Sequence, residues 1–303
     1  MDHGKPKRVN LERADSLMEV NSHPPTLAHW PRDHQRIVML HYDHLPPGAV
    51  PEYRPEGHHV LTLFNLSGAG LETLVDIDRE DWLDGQRVTP PLQVPGMGFL
   101  CPDGVSHAAL WHQPLEATSF CLTSRFVDQV SRSIFDGATL DLIPHFGLYD
   151  ANLYHLAMAL KTLLSDPLAA TADQIYGDQV ITAMAAYLLE SYGVRPLPPG
   201  LDHPLDNLRL RRLVEYVEAH LATEIALAPL AAALDLGEFQ LCQAFLSRTG
   251  LSLYEFVQQQ RQRRARLLLQ VSPWSQEEIA RCCGYGDRCT MIHHLGGSGV
   301  GLP

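Results

Sequence analysis

The feature that most constrains the fold is a repeated arrangement of short helices in the last third of the chain. A short amphipathic helix is predicted where apolar residues recur at i, i+3, i+4 and i+7: Leu227, Leu230, Ala231 and Leu234. The tripeptide "DLG" ends it, and a second helix is predicted over 238–247. The inward face of this second helix contains three residues: Leu241, Ala244 and Phe245. Two short helices joined by a tight turn are typical of a helix-turn-helix unit.

The same arrangement returns about fifty residues later in "SQEEIARCCGYGDRCTMIHHL". The tripeptide "GYG" forms the turn, and five residues are predicted to face inward: Ile279, Ala280, Cys283, Met291 and Leu295. Between the two units, "SLYEFVQQQRQRRARLLLQ" predicts one unbroken helix that carries four arginines. A helical bundle without a DNA role is the alternative, but two such units in tandem favour DNA binding.

The order of residues from Leu208 to Leu295 resembles the AraC/XylS family of bacterial transcription regulators. The resemblance rests on "LAPLAAALDL", "TGLS" and "IARCCGYGD", and on the spacing of Arg261, Ala265 and Leu268–Leu269. It implies that the second helix of each unit reads DNA. The implied reading positions are Phe239, Gln240, Cys242 and Gln243 in the first unit, and Arg288, Cys289, Ile292 and His293 in the second.

The arginines of the linking helix have different expected roles. By the resemblance, Arg261 helps this helix to pack, together with Ala265. Arg263, Arg264 and Arg266 are better placed to meet DNA phosphates, which position a protein without reading sequence. Glutamine and arginine at the reading positions can bind adenine and guanine edges through two hydrogen bonds.

The N-terminal region shows short apolar runs punctuated by proline and glycine from Arg36 to about Thr123, which predicts a small all-β barrel or sandwich. Its stretch "PGMGFLCPDGVSHAALW" resembles the second cupin motif, with Trp111 where metal-binding cupins often have asparagine. The first cupin motif is absent, and the adjacent His58 and His59 point to opposite faces of a strand. We therefore expect no metal, and an effector pocket formed by His59, His107 and Trp111.

The expected fold class is α+β: a cupin-like β-barrel with a helical region, followed by an all-α tandem helix-turn-helix domain. The predicted division is an irregular arm (1–30), an effector-sensing barrel (31–125), a helical segment suited to dimerisation (126–193), a proline-rich linker (194–207), the DNA-binding domain (208–295) and a glycine-rich tail (296–303).

Charge is distributed unevenly along the chain. The net charge is −12, but residues from 201 onward carry ten arginines against eleven acidic residues and are nearly neutral. The acidic N-terminal part argues against a nucleic-acid surface there. The sequence has no apolar run long enough to cross a membrane, and its six cysteines are too sparse for a disulfide scaffold. We expect no secretory signal and a cytoplasmic protein with reduced thiols.

The expected function is therefore sequence-specific regulation of transcription, controlled by a small-molecule effector in the barrel, with no catalysis and no cofactor. The expected partners are promoter DNA, an effector of unknown identity and a second copy of the chain, with RNA polymerase as a further candidate and no membrane. Two alternatives remain: a cupin-type metal enzyme with a helical appendage, and a regulator-derived protein that has lost stable DNA binding.

The last expectation concerns the glycine-rich stretch "GGSGVGLP" at 296–303. A phosphate-binding loop needs a strand before it and a helix after it, whereas here a helix precedes the glycines. By the resemblance, Gly296 and Gly297 stand where arginine or lysine is usual. Each glycine disfavours a helix by about 1 kcal/mol relative to alanine. We therefore expect a truncated or frame-shifted end near Leu295, with fraying of the last recognition helix.

Overall fold

A computed structural model describes residues 7–9, 23–29, 36–66, 79–88, 96–165, 171–198 and 203–296. A β-rich N-terminal part precedes a helical C-terminal part, which confirms the predicted α+β class. Residues 297–303, which hold most of the glycine-rich tail, lie outside the described ranges, as does most of 1–30.

Among the described residues, the N-terminal part contains two large sheets whose side chains meet in a common interior. One has the strand order β1-β4-β9-β6-β7 and the other β12-β8-β5-β10-β3-β2. The strands are β1 (Lys7–Val9), β2 (Leu27–His29), β3 (Ile37–Leu45), β4 (Gly48–Pro55), β5 (His58–Phe64), β6 (Arg79–Leu83), β7 (Gln86–Val88), β8 (Gly98–Cys101), β9 (His107–Trp111), β10 (Leu115–Thr123), β11 (Asp141–Leu142), β12 (His145–Leu148) and β13 (Gly193–Val194).

Both faces of the central strands β5 and β10 are mostly buried, so neither strand shows the alternation of apolar and polar residues that marks a strand with one solvent-exposed face. One face lines the barrel interior. The barrel residues share one hydrophobic cluster with three helices, α1 (Ser124–Ile134), α2 (Ala151–Ser165) and α3 (Thr171–Tyr192). The side-chain oxygen of Thr123 accepts a hydrogen bond from the backbone N–H of Phe126 and caps α1 where the barrel ends.

Three predicted segments differ in part from the structure. The arm 1–30 is not wholly irregular, because Lys7–Val9 pairs with β4 and Leu27–His29 pairs with β3. The segment 126–193 is not wholly helical, because β12 returns to the barrel and pairs with β8. The short strand β13, at the start of the predicted linker, pairs with β11. Short strands of two to four residues carry too little periodicity to be recognised in the sequence.

Within residues 203–296, the C-terminal part contains six helices: α4 (Asn207–His220), α5 (Leu227–Ala233), α6 (Glu238–Thr249), α7 (Leu253–Val271), α8 (Gln276–Cys282) and α9 (Arg288–Gly296). Local sequence sets several of these boundaries. Ser252 with Glu255 forms a capping box at the start of α7, and Ser275 with Glu278 forms another at the start of α8. The glycine Gly250, with φ +77°, ends α6.

The predicted inward residues of both helix pairs are buried, except for the half-buried Leu227, but they belong to two different cores. The first pair packs with α4 in a cluster of its own, which Ile143 and Val194 also join. The core of the second pair continues through Leu267 and Leu268 of α7 into the cluster of the N-terminal part. The long helix α7 therefore connects both cores.

Candidate nucleic-acid interface and barrel cavity

The first helix pair exposes one face of its second helix, α6. The turn between α5 and α6 contains Asp235 with a positive φ of 55°. Phe239 is 78% exposed, Gln240 and Gln243 are exposed, and Cys242 is half-buried. All four predicted reading positions of this unit therefore lie on an accessible helix face.

The second helix pair also exposes one face of its second helix, α9. Gly284 in its turn has φ +79°, a conformation that favours glycine. The carboxylate of Asp287 accepts a 2.8 Å hydrogen bond from the backbone N–H of Thr290 and caps α9. The outward residues are Arg288, Cys289 and His293, which are exposed, and Ile292, which is half-buried. The Arg288 guanidinium lies 3.8 Å from the Glu277 carboxylate, and 52% of the Arg288 side chain is exposed, so it remains accessible.

These two faces offer complementary chemistry for reading base edges. Gln240 and Gln243 present amide groups that match adenine, and Arg288 presents the donor pair that matches guanine. Ile292 offers an apolar contact for a thymine methyl group. Leu295, close to the expected fraying point, is buried inside α9, so this helix keeps its inward packing at least to that residue.

Two of the three arginines predicted to meet DNA phosphates are turned away from solvent. Arg264 is 2% exposed, with its guanidinium 4.8 Å from the ring centre of Tyr149. Arg263 lies 4.7 Å from the ring centre of Tyr192, and its Nε is 3.7 Å from Asp150. Both arginines face the N-terminal part rather than solvent. The prediction was wrong for them because the sequence does not show which side of α7 the N-terminal part covers. Arg266 is half-buried beside a cavity between the two parts.

The barrel contains a second cavity of about 90 Å³, and His107 and Trp111 are among its lining residues. The indole Nε1 of Trp111 donates a 2.6 Å hydrogen bond to the carbonyl oxygen of Pro46. His107 Nε2 lies 2.9 Å from Asp81 Oδ1, and Arg79 Nε donates to the same oxygen at 2.9 Å. The Arg79 guanidinium also lies over the Phe64 ring at 4.5 Å.

Electrostatics fix the charge states of this buried group. Burial alone would raise the pKa of Asp81, but the Arg79 charge and the His107 hydrogen bond outweigh it, and the pKa is lowered. Burial lowers the pKa of His107, against the opposing effect of Asp81. Because Nε2 of the neutral His107 faces the Asp81 carboxylate, the ring carries its proton on Nε2. The buried Nδ1 of His107 then keeps a lone pair without a hydrogen-bond donor in the described part of the chain.

His59 does not line this cavity, contrary to the prediction. The cavity-lining residues of β5 are Val60, Thr62 and Phe64, and His59 points to the opposite face. Its Nδ1 accepts a 3.2 Å hydrogen bond from the backbone N–H of Asp103, so it serves the loop before β9. The sequence places His58 and His59 on opposite faces but does not show which face is interior.

Sequence reasoning missed the pair Arg79 and Asp81. Their i, i+2 spacing in "REDWL" places both side chains on one face of β6, and that was an available signal. It also missed Arg211 of α4, which binds Asp84 between β6 and β7 and joins the two parts of the chain. Nothing local in the sequence marks this second contact, because its residues are 127 positions apart.

Within the described ranges, no group of three or more His, Cys, Asp or Glu residues is arranged to hold a metal ion. The helices in those ranges include none that is long and apolar enough to cross a membrane.

Comparison with known proteins agrees with the helix pairs. The family model of a helix-turn-helix domain matches residues 230–295. The chain is similar to the C-terminal domain of the two-component response regulator YesN from Fusobacterium nucleatum, with 23% identity, 30% of this chain and 94% of that chain covered, and a TM-score of 0.28. No curated protein matched the chain.

Two longer structures are also similar to this chain. ToxT from Vibrio cholerae has 10% identity, covering 86% of this chain and 94% of that chain, with a TM-score of 0.33. The AraC-like transcriptional activator CuxR has 13% identity, covering 77% and 78%, with a TM-score of 0.34. The family match rests on the segment where both helix pairs and their exposed second helices are found. Residues 230–295 therefore form a helix-turn-helix domain.

Proposed function

We propose that this chain is a transcription regulator that binds specific sequences in double-stranded promoter DNA and responds to a small molecule in its barrel. The observation that carries the proposal is the exposure of amide and guanidinium groups on the second helix of both units, at Gln243 and Arg288. The activity is binding without catalysis, and no cofactor takes part.

The two reading helices would enter successive major grooves on one side of the DNA. Such grooves are about 34 Å apart, which is one helical turn. Each bidentate contact contributes about 1–3 kcal/mol of discrimination against a wrong base. Two units in one chain therefore combine modest contributions into a specific site.

The effector proposed for the barrel is a small, mostly apolar molecule with one hydroxyl group. Most of the cavity lining is aliphatic or aromatic, which favours an apolar body. The unpaired Nδ1 of His107 supplies an acceptor for the hydroxyl proton. The cavity of about 90 Å³ limits the size of a molecule that enters without rearrangement. Binding there would shift the balance between two arrangements of the DNA-binding part.

We further propose that the protein acts in the cytoplasm as a homodimer and contacts RNA polymerase at the promoter. The predicted dimer region holds exposed apolar side chains in the first and third helices, Ile134 and Tyr176. Light scattering coupled to size-exclusion chromatography tests the dimer, and the variant Tyr176→Glu should shift the mass to that of one chain. A single-chain mass for the unmodified protein would contradict this part.

Fluorescence anisotropy with the promoter fragment upstream of the gene tests DNA binding. The double variant Gln243→Ala, Arg288→Ala should bind at least ten-fold more weakly than the unmodified protein. The matched control is Arg212→Ala, an exposed arginine on α4 outside both reading faces. Equal affinity of the double variant and the control would contradict the assignment of the reading positions.

A further inference from the structure

A cavity of about 530 Å³ lies between the N-terminal part and the helix-turn-helix part, and its volume is in the usual range for small-molecule sites. One wall comes from the end of α3 and from β13, and includes Tyr192 and Val194. The other comes from α4, α6 and α7. None of its lining residues lines the barrel cavity, so the two spaces are separate.

The polar wall of this cavity is one continuous face of α7. Gln259, Gln262, Arg263 and Arg266 stand at i, i+3, i+4 and i+7, which brings their side chains to one side of the helix. The amides of Gln259 and Gln262 make no side-chain hydrogen bond within the described ranges, and neither is among the buried unpaired groups. Their amide groups are therefore free to bind a molecule in the cavity.

The charges in the cavity are unequally compensated. Asp150 accepts hydrogen bonds from the hydroxyls of Tyr187 and Tyr192 and from the backbone N–H of Asn152, and Arg263 lies beside it. Its acceptor capacity is therefore largely used. Arg266 has no carboxylate within ion-pair distance in the described part of the chain.

The remaining acidic residue of the lining is Glu190, whose side chain is exposed to solvent. Water screens an exposed carboxylate more effectively than a half-buried guanidinium. The group left to attract a charged ligand is therefore the cation of Arg266. The floor next to α7 is apolar, with Leu251 and Phe256 on one side and Val194 on the other.

We propose that this cavity is a second ligand site, which binds a small organic anion with an apolar body. The anionic group would bind Arg266, with Gln259 and Gln262 donating amide hydrogens, and the body would lie against Phe256 and Val194. Because the ligand touches both parts of the chain, its binding is linked to their relative placement. The inference goes beyond the proposed barrel effector and does not depend on DNA binding.

The test uses two fluorescent probes that differ in charge. The anionic probe is 8-anilinonaphthalene-1-sulfonate, and its uncharged counterpart is N-phenyl-1-naphthylamine. Both are titrated into the full chain, the variant Arg266→Gln and the control Arg212→Gln. We expect Arg266→Gln to weaken binding of the sulfonate at least ten-fold and to leave the uncharged probe within two-fold. Arg212→Gln should leave both affinities unchanged.

Two filling variants locate the probe. Gln262→Trp fills the cavity between the parts and should abolish sulfonate binding, whereas Val50→Trp fills the barrel and should not. The proposal is overturned by absence of sulfonate binding to the unmodified chain, by equal affinities of Arg266→Gln and Arg212→Gln, or by loss of binding in Val50→Trp. Since the titrations contain no DNA, a negative result in them does not bear on the DNA-binding proposal, which the anisotropy experiment tests separately.

Discussion

Glu218, in the last turn of α4, accepts a 2.6 Å hydrogen bond from Nδ1 of His145 in β12. Its second oxygen accepts the backbone N–H groups of Phe146 at 3.3 Å and Gly147 at 3.1 Å. Both side chains are at most 5% exposed. A carboxylate of the helix-turn-helix part thus accepts three hydrogen bonds from the edge strand β12, and this contact joins the two parts.

Replacing Glu218 with glutamine should lower the free energy of unfolding by about 2 kcal/mol, because hydrogen bonds to a charged acceptor become neutral ones. Urea denaturation monitored by circular dichroism measures this change. The control is Glu224→Gln, an exposed residue in the loop before α5. If both variants unfold at the same urea concentration, the contact does not hold the two parts together.

Two glycines of the second helix pair should respond in opposite directions to replacement by alanine. Gly296, at the end of α9, has open space around it, so Gly296→Ala should stabilise this helix by up to about 1 kcal/mol. Gly284 has φ +79°, and a Cβ there would collide with the backbone carbonyl oxygen of Leu221. Gly284→Ala should therefore destabilise the second pair.

Amide hydrogen exchange of 287–295, with 238–247 as internal reference, measures both effects. In the unmodified protein we expect faster exchange in 287–295, because Gly296 and Gly297 disfavour the end of that helix. Gly296→Ala should reduce the difference in exchange rate between the two segments, and Gly284→Ala should increase it. Equal protection of both helices in the unmodified protein would refute the predicted fraying.

The pKa of His59 should be about 4, because burial disfavours its charged form more than the nearby Asp103 and Asp128 favour it. Its Nδ1 also accepts a backbone N–H, which only an unprotonated nitrogen can do. A lowered folded-state pKa means that the unfolded chain binds the proton first. The contribution of the neutral His59 to stability is therefore fully present above about pH 6.5 and is lost as the pH falls toward 4.

NMR titration of the histidine rings measures this pKa directly, with His59→Asn identifying the resonance. The same variant should flatten the dependence of unfolding free energy on pH between 6.5 and 4. A His59 resonance that titrates near 6.5 would show that the Asp103 hydrogen bond does not form in solution.

The helix pairs could be predicted from the sequence because each short helix has its own apolar spacing and turn residues. Leu241 and Phe245, or Ile279 and Cys283, mark their inward faces without knowledge of the rest of the fold. The exposed reading faces follow from the same periodicity. Only Leu227 among the predicted inward residues of α5 is half-buried rather than fully buried.

The interior of the barrel and the side of α7 that is covered could not be predicted in the same way. A strand buried on both faces gives no alternation, so His59 could not be assigned to either face. Arg263 and Arg264 look like a basic surface in isolation, and only the packing of Tyr149 and Tyr192 against α7 places them inside. Long-range packing between two parts has no local signal.

The most direct test of the central claim is selection of binding sites from random double-stranded DNA by the full chain, followed by sequencing. The account predicts two enriched motifs whose centres are about one helical turn apart. Gln243→Ala should relax the base preference in one motif only, and Arg288→Ala in the other only. Enrichment of no sequence, under conditions where the protein is folded, would contradict the claim and favour a regulator-derived protein that no longer binds DNA stably.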